Sequence, residues 1–253
     1  MKALWTGAIG FGLVNIPVKL YSGSQSSSLD LDLIDRKDHA PIHYQRVNED
    51  TGKVIDWKNI VKGYKTANGY VVLTDADFAK ASPEKTKTVA IDAFIDEAEI
   101  ESVYYEVPYF LEPAKGGERA YILMRDALKK SKKVGVGSFV LRSKEHLCVI
   151  KPYGNILLLE KIRFAEEVRK TTELKIPKSK PKAGELNMAL KLIDQQSAPF
   201  DITQYKDTYT QALMKFIKTK AKGGKVKEPV LKVTHRKSKD IMSLLKESIQ
   251  KAS

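Results

Sequence analysis

The side chains able to hold a metal or attack a substrate are few in this 253-residue sequence, and their spacing is wrong for either task. A metal centre needs three or four His, Cys or carboxylate ligands at compatible separations. His39 and His43 are four apart but flank Pro41, and no Glu or Cys lies beside them to complete a set; His146 and His235 stand far off. Polar loop histidines near phosphates are the expectation. Cys148, the single cysteine, sits in the apolar run Leu147 to Ile150, where a thiol is buried and inert rather than nucleophilic. Asp92, Asp96, Glu97, Glu99, Glu101 and Glu106 are dense enough for acid–base or cation chemistry, yet no spacing among them matches a calcium loop, so they read as a solvated acidic face. Gly7, Gly10 and Gly12 lack the third glycine of the dinucleotide fingerprint and the lysine of a P-loop; they read as bends in a barrel. No catalytic residue, metal or cofactor is expected. The sequence describes a protein that works by binding, not an enzyme.

Charge says what it binds. Lys plus Arg number 44 against 31 for Asp plus Glu, a net charge of +13 and a pI near 9.5. A polyanion is the natural partner, nucleic acid ahead of an acidic membrane surface. Residues 1–169 hold 25 basic and 23 acidic side chains, while residues 170–253 hold 19 and 8, so eleven of the thirteen excess charges lie in the last third. A nucleic-acid site in the first part must therefore come from segregated charge. With one cysteine, no signal peptide and no long apolar run, the chain is expected in the cytoplasm, without a membrane association.

The elements that must position such a site are legible from pattern. The apolar, glycine-punctuated stretch Leu4 to Tyr21 reads as strands bent at the glycines. Further strands are expected at Gly69 to Leu73, Thr86 to Ile95, Ser102 to Leu111, Val134 to Arg142, Leu147 to Ile150 and Asn155 to Ile162. Glu118 to Lys133 spaces Tyr121, Met124 and Leu128 for one face of a helix. Between strands, a polar and basic arm at about 34–66 loops out of the core, with the turn signal Asn48-Glu49-Asp50-Thr51-Gly52. The fold class is mixed α+β and β-rich: a core over 1–169, a linker and helical region over 170–222, and a basic tether with a C-terminal amphipathic helix over 223–253. In the helical region Leu186, Ala189, Leu190 and Ile193 make one apolar face, and Tyr209, Leu213, Phe216 and Ile217 another. Lys218 to Glu228 reads as a flexible break. Ile241, Leu244, Leu245 and Ile249 form the last stripe, with Ser238 available as an N-cap.

Read together, the motifs resemble a known family. The run Trp5-Thr6-Gly7-Ala8-Ile9-Gly10-Phe11-Gly12-Leu13-Val14-Asn15-Ile16-Pro17 is similar to the N-terminal signature of bacterial Ku proteins, the DNA-end-binding factors of non-homologous end joining. The likeness continues through Gly69 to Leu73, Pro108 to Pro113, Phe139 to Arg142 with Glu145-His146-Leu147, Glu167 to Arg169, and Ile241 to Ser248. It covers essentially the whole chain.

The resemblance implies a Ku-type β-barrel core whose inserted arm meets that of an identical subunit. The homodimer would form a ring that encircles a double-stranded DNA end independently of sequence. It also implies that the C-terminal helix docks the ATP-dependent repair ligase D through Ile241, Leu244, Leu245 and Ile249. In the arm, Arg36, Lys37, Arg46, Lys53, Lys58, Lys62 and Lys65 outnumber four acidic residues and are the candidates to line the passage, since phosphate contacts hold a duplex without reading bases. On DNA, such a protein would be associated with the nucleoid. The competing expectation is a general basic nucleic-acid binder such as an RNA chaperone, which would bind circles and single strands as well as ends.

Overall fold

The computed structural model describes residues 1–81, 87–224 and 241–252. They divide into two units, one of residues 1–26 and 31–170, the other of residues 27–30 and 171–253.

The first unit is built on a closed barrel. β1 (Trp5–Phe11) and β2 (Val14–Ser22) form a hairpin whose Phe11↔Val14 pair encloses a two-residue turn, and Gly12 supplies the positive φ that this turn requires. Of the three glycines expected to bend strands, Gly12 makes the turn while Gly7 and Gly10 stay within β1. β3 (Lys62–Thr66) and β4 (Gly69–Leu73) pair apart from the barrel, and α1 (Asp75–Ala81) follows them. The chain then re-enters the barrel as β5 (Thr88–Asp96), β6 (Tyr105–Pro113), α2 (Glu118–Ser131), β7 (Lys133–Leu141), β8 (Lys144–Tyr153) and β9 (Ile156–Ile162). The order around the barrel is β1-β2-β6-β9-β8-β7-β5. All pairs are antiparallel save the seam, where β5 returns parallel to β1 at Ala8↔Thr88. Closure leaves the barrel sheet without a free edge.

Two glycines are needed where strands press together. A Cβ on Gly7 would lie 2.2 Å from the Lys87 carbonyl oxygen at the seam, where the Ala8 amide donates to that oxygen at 2.8 Å. A Cβ on Gly137 would lie 1.8 Å from the Ala90 carbonyl oxygen. The interior follows from period-two alternation: Ile16, Val18 and Leu20 of β2 point inward and are fully buried, meeting Ile9, Val89, Leu111, Phe139, Ile150, Leu157 and Leu159. Tyr121, Met124 and Leu128 of α2 join this core, as their i, i+3, i+7 spacing predicts. The Tyr121 hydroxyl donates to the Leu111 carbonyl at 2.5 Å and accepts from the Leu157 amide at 2.7 Å, so the helix is bolted to β6 and β9 by one satisfied buried group. Cys148 lies in the same core, and burial raises its thiol pKa well above the usual value.

The second unit carries α3 (Ala183–Gln196), α4 (Thr208–Ala221) and α5 (Ile241–Ala252). Asp207 caps α4, accepting from the Thr210 amide at 2.9 Å and from its hydroxyl. α4 runs through Lys218 to Ala221, residues expected to open a flexible break; good helix formers carry it one turn further. α5 packs against α3. The half-buried stripe of α3 is Glu185, Met188, Ala189 and Leu192, one residue round from the predicted face, and Leu186, Leu190 and Ile193 are exposed. Residues 225–240, which hold most of the predicted tether, His235 and Ser238, lie outside the described residues.

Candidate nucleic-acid interface

The arm expected at about 34–66 lies between β2, which ends at Ser22, and β5, which begins at Thr88. It is shaped by local side-chain bonds. Asp35 accepts from the Lys37 amide at 2.6 Å and Asp38 from the Ala40 amide at 2.9 Å, folding a tight turn closed by the Ile34↔Pro41 bridge. Asn48 does the same for the Val47↔Val54 turn, accepting from the amides of Asp50 and Thr51 at 3.1 and 2.9 Å, with Gly52 at φ 67°. β3 and β4 then pair in register from Lys62↔Leu73 to Thr66↔Gly69. α1 is capped reciprocally: the Thr74 amide donates to Asp77 at 2.9 Å and the Asp77 amide to the Thr74 hydroxyl at 3.3 Å.

All seven candidate cations are solvent-exposed. Arg36 and Lys37 sit at the first turn and Lys53 at the second. Arg46 stacks its guanidinium 4.3 Å from the centre of the Trp57 ring, and Lys62 places its ammonium 4.5 Å from the centre of the Phe78 ring. These contacts fix the direction of a cation without neutralising it. Lys58 lies 3.9 Å from Asp56, both side chains more than two-thirds exposed, a pair worth little in water. Lys65 is paired opposite Tyr70 and so shares a face of the β3–β4 ribbon with it, while Tyr64 and Val71 share the other.

The arm is also apolar where nothing covers it. From residue 31 to 81 no side chain is buried, and Tyr44, Trp57, Tyr64 and Tyr70 are each at least 69% exposed. A two-stranded ribbon with both faces in water is marginal by itself.

Residues 10–188 match the profile of the Ku70/Ku80 beta-barrel domain, from the last two residues of β1 through the arm and the remaining barrel strands into α3. The chain belongs to the Ku family. It is 43% identical over 231 residues to the non-homologous end joining protein Ku of Cupriavidus necator, covering 88% of this chain and 68% of that one. The protein of the same name from Coxiella burnetii is 38% identical over 98% of this chain and 94% of its own length. That of Archaeoglobus fulgidus is 36% identical over 99% of both. Among solved structures, the SPOC domain of human PHD-finger protein 3 aligns with a TM-score of 0.32 at 12% identity over 64% of this chain and 97% of that one, too distant to bear on fold or function.

In this Ku chain the four apolar residues expected to dock a ligase all fall in α5. Leu244 is 37% exposed, Leu245 and Ile249 are half-buried, and the side chain of Ile241 lies outside the described residues. Trp57 and Phe78 were missed by sequence reading. Trp57 stands eleven positions after Arg46 and Phe78 sixteen after Lys62, too far along the chain for neighbouring positions of one helix or strand to bring a cation onto a ring. Among the described residues no helix is long and apolar enough to cross a membrane.

Proposed function

We propose that two copies of this Ku chain join through their arms into a ring that accepts duplex DNA at a free end, and that the ring then recruits a repair ligase. Homodimer formation is supported by the one observation that carries the reading: an arm of apolar and aromatic side chains that a single chain leaves in water. A second copy of the same arm is self-complementary under two-fold symmetry. The seven arm cations meet phosphates on the inside of the enclosure, so binding is electrostatic, indifferent to base sequence and steeply salt-dependent. Preference for ends comes from topology, because a closed ring can be threaded only from a terminus.

Ligase D docks on α5. An amphipathic helix with Leu244 and Leu245 on its apolar side is the kind of element that a groove on a partner receives. Its packing on α3 leaves Leu244 accessible. Replacing Leu244 and Leu245 by Asp abolishes ligase capture in a pull-down and spares DNA binding.

The test of the main reading is a gel-shift comparison of one sequence as linear duplex and as covalently closed circle. Binding to the linear form that is lost on the circle is expected. Equal affinity for both overturns the ring.

A further inference from the structure

β7 and β8 are joined by a two-residue turn, Arg142-Ser143, closed by the Leu141↔Lys144 pair. Both turn residues have positive φ, 52° and 68°, the backbone that such turns normally fill with Asn-Gly. Arg142 gains no burial in return, since it is exposed. A local rule broken without a packing gain marks a position kept for another purpose.

Arg142 lines two hollows of the first unit, together called the notch. One, of about 340 Å³, is lined by Leu4, Tyr109, Leu141, Arg142, Lys144 and His146. The other, of about 420 Å³, is lined by Lys62, Asp75, Phe78, Ala81, Arg142 and Ser143, and so joins the hairpin tip of the barrel to β3 and α1 of the arm. Among the described residues three cations line the two hollows, Lys62 one, Lys144 the other and Arg142 both, against one carboxylate, Asp75. Among the described residues the ion pairs take Lys58, Arg125, Lys133, Lys151 and Lys161, and none takes Lys62, Arg142 or Lys144. The Phe78 ring under Lys62 orients that ammonium without discharging it. His146 feels the local field: burial, then the charges of Lys161 and Lys144, hold its pKa below the ordinary value, with Glu106 and Glu167 opposing. The charge of Lys144 thus adds to burial in disfavouring a protonated ring at this end of the hollow.

We propose that this notch is a phosphate-binding site in which Arg142 and Lys144, with Lys62 across the gap, grip one phosphate group of a DNA end. It rests on the end-binding reading above, and it adds a contact from the barrel to those of the arm. The phosphate is a diester of the backbone or the monoester of a 5′ terminus; both present the same anionic oxygens to a guanidinium.

The test uses the full chain with Arg142→Asn combined with Lys144→Gln, because Asn tolerates the left-handed backbone and leaves the hairpin intact. Binding is measured between 50 and 200 mM salt on linear duplex carrying either a 5′-phosphate or a 5′-hydroxyl. The slope of log K against log salt should fall by about 0.9, the contribution of one neutralised phosphate, with Kd rising several-fold. Arg142→Lys keeps the charge and should keep the slope, and Lys144→Gln alone, outside the turn, should shift it in the same direction. Equal losses on both duplexes assign the site to a backbone diester. A wild-type preference for the phosphorylated end that the double variant erases assigns it to the terminus. If wild type binds linear duplex and the double variant matches it in Kd and slope, the notch is overturned and the end-binding reading stands. If wild type fails to bind linear duplex, that reading falls and the notch with it.

Discussion

Barrel and arm belong to one unit of one chain, yet they solve the problem of stability in opposite ways. The barrel buries Ile9, Ile16, Val18, Leu20, Val89, Val149, Ile150, Leu157 and Leu159 completely and pairs every strand. Each such side chain contributes roughly 1.5–3 kcal/mol. The arm, from residue 31 to 81, buries none, and its order rests on side-chain turns at Asp35 and Asn48 and on one two-stranded ribbon. The contrast is between a barrel complete as folded and an arm whose apolar side chains, within a single chain, stay in water.

The comparison breaks most visibly at Gly137. Any Cβ there strikes the Ala90 carbonyl, so Gly137→Val should cost about 3–5 kcal/mol and lower the denaturant midpoint of the whole barrel. If it is tolerated, the strands are not as closely pressed as described. Next in size, Tyr64→Asp with Val71→Asp puts two charges on one exposed face of the ribbon. Dimerisation measured by sedimentation should weaken at least about a hundredfold, the scale of losing a desolvated aromatic anchor, while the thermal transition of the barrel stays within a few degrees. A barrel that melts early in this variant would show that arm and core are not independent.

Charge removal should be milder. Replacing Arg36, Lys37, Lys58 and Lys62 by Ala should leave the dimer intact and reduce the salt slope by about 0.9 for each residue that met a phosphate. The smallest effect belongs to His146. Its pKa is held below the ordinary 6.5 chiefly by burial, so the unfolded chain takes up a proton first as pH falls. The contribution of the neutral ring is complete above about pH 6.5 and is lost as pH drops through the folded value. His146→Gln should flatten the fall in thermal midpoint between pH 7 and 5, and an unchanged profile would place the pH dependence elsewhere.

How much the sequence disclosed follows the same division. β4 was expected at Gly69 to Leu73 and forms there, β9 begins one residue late at Ile156, and α2 ends two residues early at Ser131, because short runs of strand-forming residues and helical spacing are local signals. The parallel seam between β1 and β5 joins segments eighty residues apart, and no local pattern encodes it. β3 was missed because Lys62-Gly63-Tyr64-Lys65-Thr66 shows no apolar alternation; both its faces are in water. α1 carried a readable capping signal in Thr74 and Asp77 but was too short to show a periodic face. Membership of the Ku family was legible in the opening run, whose glycines serve one turn and one seam. Which cations face a phosphate was not legible, since charge runs have no periodicity and Arg46 and Lys62 are aimed by rings far along the chain.

The enclosure is tested most directly by order of addition. Linear duplex is incubated with protein and both ends are then blocked by bulky groups, or the ends are blocked first and protein added afterwards, and retention is measured at high salt. The account predicts protein trapped in the first order and absent in the second. Equal retention in both would contradict it.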